Sequence, residues 1–460
     1  MKELFRPYYK LEQAEFEKLW QNAIFVFDTN VLLNLYRYQS STRDALLAVM
    51  EKLNGRAWIP YHVGLEFQRN RLKVIADQHK RFSDVRQVVN SSISGMRNKL
   101  DELQLKKRHS HINPDKLIEG LTGVESDFLT ELKTLEEQSI SVNSEDKIRE
   151  RIDTLFKDAI GPPPIEQKAI DELVSEGESR YAKNIPPGYE DSGKGENAID
   201  TFLFGGIEYR RKFGDLIVWK QIIDHARKNQ VKDIIFVTDD NKSDWWWKIK
   251  SNGTKTIGVR PELKDEIHRE AEVNNFHLYN TESFLSHANQ QLDAKVTEEA
   301  IEEVRDMSDA RRELVDRQRT RRLLSVSAEN AVVDWLSTLF SSFEPQQRGR
   351  SSFDIVAYRA NQKHGFEVML VTESRSIVYR LRENIYRSYY LLKEENFHKV
   401  SIVLVVLDED HLRELDRRIQ RLTQEIQVEI EIVIGLAETN EEEDHIYLFR
   451  PYREYDLQRP

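Results

Sequence analysis

Short, wholly apolar runs alternate along the chain with longer segments in which apolar residues recur every three or four positions. Residues 24–27, IFVF, form such a run, which is typical of a strand buried on both faces of a parallel sheet. The segment TNVLLNLYRY that follows has helical spacing, with Val31 and Leu35 on one face. Residues 57–59 and the segment after Pro60 repeat this succession. The pattern predicts an α/β fold with a parallel sheet.

The same succession returns after a long interruption. FGDLIVWKQIIDHARKN has a wide apolar face and is predicted to be a helix. Residues 234–237, IIFV, are a second strongly apolar strand, and residues 276–280 are a weaker last one. We expect these elements to complete the sheet that begins at residue 24, so that the first domain covers residues 1–290.

The interruption has a different pattern. From about residue 81 to residue 160, apolar residues follow helical spacing in two long segments separated by SHINPDK, which is typical of a turn. We predict a helical hairpin inserted into the first domain and ended by the Pro-rich GPPPIEQ. The Gly- and Pro-rich NIPPGYEDSGKGENA then leads back to the α/β pattern as a surface loop.

Residues 291–324 are dense in charge and helical in spacing, and they predict a connector. A separate α/β domain is expected over residues 325–460. Its predicted helices are SAENAVVDWLSTLF, YRLRENIYRSYYLLKEEN and DEDHLRELDRRIQRL, and its predicted strands are FDIVAYRA, GFEVMLVT, VSIVLVVL and QVEIEIVIGL.

Composition limits the classes of protein to consider. The 460 residues carry 68 Lys and Arg against 79 Asp and Glu, so contact with a nucleic acid would depend on local basic patches. Cysteine is absent, which excludes disulfides, thiolate zinc sites and cysteine nucleophiles and suits a reducing cytoplasm. The first residues lack the apolar core of a signal peptide, and no run approaches transmembrane length. We expect a cytoplasmic protein with no membrane partner.

Carboxylates follow the predicted strands. Asp28 comes directly after the first strand, Asp239 and Asp240 come after the second strongly apolar one, and Glu66 and Asp215 lie early in two predicted helices. Because ligands gather at the carboxyl ends of strands in an open α/β sheet, we expect these acids to meet at one edge. A hard divalent cation such as Mg²⁺ or Mn²⁺ would relieve their repulsion, position a water and neutralise charge on a phosphate.

Each of these acids also has an ordinary structural role. Asp28 and Asp215 are well placed as helix N-caps, worth about 1 kcal/mol each, and Glu66 suits a solvated helix position. Asp239 and Asp240 suit a turn. Caps and turns formed independently have no reason to follow the two most apolar strands, and this coincidence favours a shared site.

The segments that carry the acids resemble one protein family. FVFDTNVLLNLYRY, YHVGLEFQRNR, FGDLIVWKQII and IIFVTDDNKSDWWW together are similar to the PIN-like nucleases, and with IPPGYED they look most like the bacterial branch that carries a helical insertion. The resemblance covers about residues 1–290. It implies Mg²⁺- or Mn²⁺-dependent hydrolysis of phosphodiester bonds in RNA or in single-stranded or flapped nucleic acid, and an anti-phage defence or toxin-like role.

The resemblance also implies roles for single residues. The catalytic and metal-binding acids would be Asp28, Glu66, Asp215 and Asp240, with Asp239 as a further metal ligand. Supporting roles would fall to Thr29, Asn30, Thr238 and Asp244. Arg69 and Arg71 follow Glu66 closely enough to contact a phosphate, although a solvated basic face is the alternative.

The second domain resembles the restriction-endonuclease-like core over about residues 325–436, through AENAVVDWL, FDIVAYRA and GFEVMLV. Asp354 and Glu367 would match the two acids of that core, and Glu329 the acid of its first helix. Met369, however, stands where that family has a catalytic lysine. The resemblance therefore implies a degenerate domain that binds nucleic acid or a protein partner. Its candidate phosphate contacts are Arg375, Arg380, Arg382 and Arg387.

Three interpretations follow from the sequence. In the first, the N-terminal domain is a metal-dependent nuclease and the C-terminal domain selects its substrate or partner. In the second, the chain is a non-catalytic nucleic-acid-binding or assembly protein with a vestigial acid cluster, and its helical insertion or C-terminal domain contacts a protein. In the third, the C-terminal domain is the active nuclease, against which Met369 argues. The presence of all four acids favours the first.

Overall fold

The computed structural model describes residues 1–104, 112–192, 200–251, 253–344, 353–371, 374–440 and 445–458. These residues form two compact units, one ending at Ser308 and the other beginning at Asp309. The junction falls within the segment 291–324 that the sequence marks as a connector. Within the described ranges, no helix combines the length and the apolar character that crossing a membrane requires.

The first unit contains helices and strands in alternation. Its helices are α1 (Gln13–Asn22), α2 (Thr29–Asn34), α3 (Ser40–Lys52), α4 (Tyr61–Glu102), α5 (Asp115–Gln138), α6 (Lys147–Leu155), α7 (Gln167–Tyr181), α8 (Gly214–Asn229), α9 (Pro261–Ala271) and α10 (Thr281–Leu292). Its strands are β1 (Ile24–Phe27), β2 (Ala57–Trp58), β3 (Thr201–Phe204), β4 (Ile207–Arg210), β5 (Asp233–Val237), β6 (Trp246–Lys250), β7 (Thr254–Val259) and β8 (Asn275–Tyr279).

Four of these strands form the central sheet, in the order β2-β1-β5-β8. All three pairings are parallel, and Phe25 of β1 lies between Ala57 of β2 and Ile235 of β5. The β1 side chains Phe25, Val26 and Phe27 are buried, as expected for a strand covered on both faces. The predicted α/β fold with a parallel sheet is confirmed, and its strands end at one common edge.

Two antiparallel hairpins, β3–β4 and β6–β7, are additions that the sequence pattern did not predict. Both are short, and most of their side chains are partly or fully exposed, so they lack the long apolar runs of the central strands. The β3–β4 hairpin precedes α8, and the β6–β7 hairpin follows the end of β5. Each therefore lies next in sequence to a segment that reaches the carboxyl edge of the sheet.

The inserted hairpin is built from α4 and α5, and α4 differs from the prediction. A single helix of 42 residues runs from Tyr61 to Glu102, so the first arm of the hairpin continues the helix that carries Glu66. After Pro60 no proline interrupts this segment, and nothing therefore ends the helix near residue 81, where the insertion was expected to begin. Part of the turn SHINPDK lies outside the described residues. The two arms are in contact, with His79 Nδ1 of α4 lying 3.7 Å from Glu136 Oε1 of α5.

The second unit is a mixed sheet between helices. Its helices are the end of α11 (Glu298–Leu336), α12 (Ser374–Glu394) and α13 (Glu409–Glu425). Its strands are β9 (Ser342–Phe343), β10 (Ile355–Arg359), β11 (Gln362–Val371), β12 (Lys399–Val406), β13 (Glu431–Asn440) and β14 (His445–Asp456). The strand order is β14-β13-β12-β11-β10-β9, with parallel pairing among β11, β12 and β13 and antiparallel pairing outside them.

Two apolar clusters cover this sheet. One joins Leu381 of α12 and Leu415 of α13 to the strands, and the other joins Val332 and Leu336 of α11 to the opposite face. The predicted helices before and after residue 325 are one continuous helix, α11. Strand β14 was not predicted, because most of its side chains are exposed and its sequence, HIYLFRPYREYD, contains a proline and several charges.

Candidate functional site

The first acid of the site lies where two central strands end together. Phe27 of β1 pairs with Val237 of β5, and the Asp28 amide donates to the Val237 carbonyl over 3.0 Å. The Asp28 side chain accepts from the Thr29 amide at 2.7 Å, so Asp28 is also the N-cap of α2. The ordinary role and the proposed one therefore coincide in the same residue.

Three neighbours hold the Asp28 carboxylate in place. The Thr238 hydroxyl donates to Oδ2 at 2.6 Å, and the Asn30 amide donates to the same oxygen at 2.5 Å. Asn30 also accepts from the Asp239 amide at 2.9 Å, which fixes the loop after β5 against the loop after β1. Thr238 is fully buried. Thr29, Asn30 and Thr238 thus all donate hydrogen bonds to the Asp28 carboxylate.

Glu66 reaches the same edge from α4. The Thr29 hydroxyl donates to Glu66 Oε2 at 2.9 Å, and His62 Nε2 lies 3.6 Å from Oε1. At Gly214, the first residue of α8, an added Cβ would lie 3.1 Å from Glu66 Oε1. A glycine at this position lets α8 approach closely and brings the following residue, Asp215, beside Glu66.

Three further carboxylates surround one ammonium group. Lys242 Nζ lies 2.7 Å from Asp240 Oδ2, 3.1 Å from Asp215 Oδ2 and 3.1 Å from Asp191 Oδ2. Neither Lys242 nor Asp191 was predicted as a site residue. A signal for both exists in the sequence, since Lys242 lies between the acids of DDNKSD and Asp191 ends the segment GYED.

Asp244 completes the acid group from a buried position. Its Oδ2 accepts from the amides of Gly188 at 2.8 Å and Glu190 at 3.3 Å. Its Oδ1 is buried and has no hydrogen-bond partner among the residues that the structure describes. Gly188 has φ +92°, and a Cβ there would collide with the Tyr181 hydroxyl, so the Gly188 amide reaches Asp244 only because the residue is glycine.

Burial and mutual repulsion favour the neutral form of several of these acids. Burial raises the pKa of Asp28 to about 7 against the Thr238 hydrogen bond, and the charges of Asp215, Asp240 and Glu66 act in the same direction as burial. Burial likewise raises the pKa of Asp244 to about 7, with Asp215 contributing. The site therefore holds more negative charge than its own cations balance.

For two other groups of the site, Glu66 and Lys242, the neighbouring residues favour the charged form. Burial opposes the ionisation of Glu66, but the nearby His62 imidazole and the hydrogen bond from Thr29 lower its pKa below the usual value. For Lys242, burial would lower the pKa, but the charges of Asp215, Asp240 and Asp191 raise it well above the usual range. Glu66 is therefore a carboxylate and Lys242 an ammonium at neutral pH.

Two predicted site residues have other roles. Asp239 accepts from the Asn34 amide at 2.7 Å and from the Thr281 amide at 2.9 Å, so it anchors the start of α10 and points away from the other acids. The expectation that Asp239 is a metal ligand is corrected accordingly. Arg71 is buried and pairs with Asp146 at 2.5 Å, which corrects its interpretation as a phosphate contact. Arg69 remains exposed, with its guanidinium 3.2 Å from the centre of the Phe202 ring.

The acids of the second unit also lie close together. Asp354 Oδ2 accepts from the Val368 amide at 2.8 Å, and the Arg387 guanidinium lies 3.0 Å from Glu367 Oε1. Burial raises the pKa of Glu367 to about 7, with the charge of Asp354 adding to the effect and Arg387 opposing it. Arg380 is exposed on α12. The side chain of Arg375 lies outside the described ones.

The acidic side chains of the first unit offer the type of ligand atom that a hard divalent cation prefers. These atoms are carboxylate oxygens, and one buried oxygen, Asp244 Oδ1, lacks a hydrogen-bond partner in the described part of the chain. As these side chains stand, however, no three His, Asp or Glu side chains of the described residues are arranged to hold one ion. Lys242 instead lies between Asp191, Asp215 and Asp240. The set offers the right ligands, and an internal cation already offsets part of their negative charge.

Comparison with known proteins identifies the family. No curated protein and no solved structure gives a significant match to the chain. The family model described as the PIN like domain matches residues 24–263, which contain strands β1, β2 and β5 of the parallel sheet, the inserted hairpin and all the acids described for the first unit. The match covers just over half of the chain and confirms the PIN-like fold that the sequence motifs predicted. The protein therefore belongs to the PIN-like domain family.

Proposed function

We propose that the first unit is a metal-dependent nuclease that hydrolyses phosphodiester bonds in RNA or in single-stranded or flapped nucleic acid. PIN-like domains are generally nucleases, and membership of the family supports this class of activity. The observation that carries the proposal is the contact chain at the sheet edge. Thr29 links Asp28 to Glu66, Gly214 brings Asp215 beside Glu66, and Lys242 links Asp215 to Asp240.

We propose Mg²⁺ or Mn²⁺ as the cofactor, held by Asp28, Glu66, Asp215 and Asp240. When bound, such an ion would orient a water and neutralise charge on the phosphate. The surrounding residues keep the ligands oriented, since Asn30 and Thr238 fix Asp28 and Thr29 fixes Glu66. The Lys242 ammonium would offset the negative charge that a phosphodiester brings to this edge.

A cytoplasmic role in anti-phage defence, or a toxin-like role, is the biological setting that we propose for this activity. Its support is the resemblance of the N-terminal segments to bacterial PIN-like proteins with a helical insertion. A non-catalytic binding or assembly protein is the alternative. It is favoured by one observation, that the Lys242 ammonium contacts three of the acids and offsets part of their charge without a metal.

Metal-dependent cleavage distinguishes the two functions. The purified chain is incubated with Mn²⁺ and with single-stranded RNA, tRNA, single-stranded DNA, flapped DNA and blunt double-stranded DNA. We expect cleavage of at least one single-stranded or flapped substrate, none of the blunt duplex, and none of any substrate with a chelator in place of Mn²⁺. Binding of these substrates without cleavage in any metal would instead establish the non-catalytic alternative.

We propose that the second unit is a degenerate restriction-endonuclease-like domain that binds nucleic acid or a protein partner. Its support is the environment of the position where a catalytic lysine would be expected. Met369 is buried, with its sulfur 3.2 Å from the Asn384 amide nitrogen. The cation that pairs with one of the acids is instead Arg387 of α12, which contacts Glu367.

A pair of double variants tests this assignment. Asp354→Ala with Glu367→Ala is expected to leave the rate of metal-dependent cleavage within about threefold of the parent, because cleavage depends on the first unit. Arg380→Glu with Arg387→Glu is expected to weaken nucleic-acid binding by about tenfold or more at low salt. That loss shrinks as salt rises, because phosphate contacts act through counterion release.

The matched control is Arg413→Glu with Arg417→Glu on α13, which reverses two exposed charges elsewhere in the same unit and should leave binding unchanged. Cleavage rates and binding at two salt concentrations are measured for all three double variants. If the double-acid variant lost all cleavage, the active site would lie in the second unit and the assignment of the two domains would be reversed.

A further inference from the structure

Helix α12 exposes three tyrosines in a line. Tyr379, Tyr386 and Tyr390 are 71%, 56% and 63% exposed. At about 100° per residue, their spacing of seven and four positions puts them within about 40° of one another around the helix axis. The opposite face of α12 is buried in the core through Ile377, Leu381, Ile385 and Leu392. We call the three exposed residues the tyrosine stripe.

The tyrosine stripe has no role in packing the second unit. Buried or half-buried tyrosines are the usual case, because the ring is a large apolar surface. In the described part of the chain, none of the three tyrosines has a hydrogen bond or a ring contact with another residue. Three aligned, exposed rings on a well-packed helix therefore indicate a surface that binds something outside the unit.

Cations flank the stripe on both sides. At the same rotation per residue, Arg382 and Lys393 lie to one side of the line of rings and Arg380 and Arg387 to the other. The Arg382, Lys393 and Arg387 side chains are 42%, 52% and 56% exposed, although each also pairs with a glutamate of this unit. Two acids, Glu383 and Glu394, share the face. The helix itself therefore presents four cations against two acids on this face, a net positive charge that suits an anionic ligand.

We propose that the tyrosine stripe binds a single strand of nucleic acid, with unpaired bases stacked on the rings and the phosphates next to the flanking cations. Alternating aromatic and basic side chains are how proteins hold single strands without reading their sequence. A duplex does not fit, because its bases stack on each other and their faces are hidden. The inference rests on the proposed function in taking nucleic acid as the ligand.

The spacing of the rings agrees with this ligand. Tyr386 and Tyr390 are about 6 Å apart along the helix axis at 1.5 Å per residue. That is close to twice the roughly 3.4 Å between stacked bases, the separation at which one base fits between two rings. Tyr379 lies about 10.5 Å further along on the same line, so the strand would follow the helix axis.

A protein partner is the other class of ligand that exposed tyrosines and arginines can serve. The core of a protein interface is depleted in lysine and glutamate, whereas Lys393, Glu383 and Glu394 lie on the same face as the rings. Among the described side chains of α12, the large hydrophobic residues that are exposed are all tyrosines, and the aliphatic side chains, which a protein partner would also contact, are buried or partly buried. These features favour the single strand.

The test uses the full chain with Asp28→Asn, so that bound strands are not cut. Fluorescence anisotropy measures its affinity for labelled single-stranded RNA and DNA of about 12 nucleotides and for a blunt duplex of the same length. Replacing all three stripe tyrosines by alanine is expected to weaken single-strand binding by about tenfold or more, because the bases lose the rings on which they stack. Replacing all three by phenylalanine keeps the rings and should keep the affinity within about twofold.

The matched control is Tyr447→Ala with Tyr452→Ala, which removes two tyrosines of β14 that are 54% and 53% exposed. Its affinity should equal that of the parent. Three results would each overturn the proposal: an alanine variant that binds single strands as the parent does, a phenylalanine variant as weak as the alanine variant, or an equal loss for the duplex. Light scattering can give a fourth such result. If the parent is a dimer and the alanine variant is a monomer with unchanged affinity for single strands, the tyrosine stripe is a contact between two copies of the chain.

Binding and cleavage can fail separately. If the chain with native Asp28 cuts no substrate, while the alanine variant loses single-strand affinity and the phenylalanine variant keeps it, the tyrosine stripe stands and the nuclease proposal falls. If the chain cuts and the alanine variant binds and cuts as the parent does, the proposal that the tyrosine stripe binds a single strand is wrong and the nuclease proposal stands.

Discussion

Asp28→Asn is expected to abolish cleavage and leave the first unit folded. The substitution keeps the shape of the side chain and removes the charge that a divalent cation needs from its ligand. A metal ion contributes several kcal/mol to this kind of chemistry, and at about 1.4 kcal/mol per factor of ten the rate should fall by about 10³-fold or more. The measurement is single-turnover cleavage in Mn²⁺ of whichever substrate the parent cuts.

Folding of the same variant carries a pH signature. The pKa of Asp28 is about 7 in the folded chain against 3.8 for the ordinary group. A raised folded pKa means that the stabilising contribution is fully present below pH 3.8 and is lost as pH rises through about 7. The asparagine of the variant does not titrate, so the free energy of unfolding of the variant relative to the parent should rise by about 2–3 kcal/mol between pH 5 and pH 8 without metal.

The Asp28→Asn variant also loses one hydrogen bond, and this loss lowers its stability at every pH. The amide oxygen of the new side chain can accept from Asn30 and Thr238, but its NH₂ group then faces the Thr29 amide, which donates to Asp28 in the parent. That loss costs about 1 kcal/mol. The control is Asp233→Asn at the other end of β5, which should leave cleavage unchanged. Parental cleavage by Asp28→Asn would remove the nuclease site from this edge of the sheet.

Lys242→Met is expected to destabilise the metal-free first unit and to make its stability depend on Mn²⁺. Methionine fills nearly the same space but leaves Asp191, Asp215 and Asp240 without their shared cation. Removing one partner of a fully buried pair costs about 3–5 kcal/mol. Because the exposed fractions of these four side chains are 9% to 27%, we expect about 2–4 kcal/mol here.

Added Mn²⁺ should restore the unfolding midpoint of Lys242→Met, because the ion then supplies the positive charge that the ammonium supplied. Thermal unfolding with and without Mn²⁺ measures both effects. The control is Lys232→Met, which breaks an exposed pair with Glu272 and should change the free energy of unfolding by less than about 0.5 kcal/mol. A variant as stable as the parent without metal would mean that Lys242 does not neutralise the acids, and a variant that Mn²⁺ does not restore would mean that the acids do not bind the ion.

The strands and the first acid follow directly from local sequence. An apolar run that ends in a polar residue predicts both a buried strand and the edge at which it ends, and Asp28 and Thr238 satisfy this for β1 and β5. The direction in which each acidic side chain points is harder to predict. Asp239 and Asp240 are adjacent, so their side chains point different ways, and the sequence contains nothing that says which one faces the other acids.

Long-range pairing explains the remaining differences. Arg71 is followed by a basic helix segment and resembles a surface residue, yet its partner, Asp146, lies 75 positions further along the chain. Lys242 has three acids within reach only after the loop containing Asp191 and the start of α8 have packed beside it. A motif of this kind identifies the residue types of a site, and tertiary packing decides which of them face one another.

Because α4 is continuous, it fixes the direction in which the inserted helical hairpin extends relative to Glu66 of the site. Glu66 and the first arm of the insertion share one uninterrupted helix, so each residue removed between them would turn the arm by about 100° and shorten it by about 1.5 Å. A deletion of one residue would therefore swing α5 to another side of the unit, whereas a deletion of seven would change the direction by only about 20°. Changes in the length of this insertion should thus be tolerated in whole heptads and resisted in other steps.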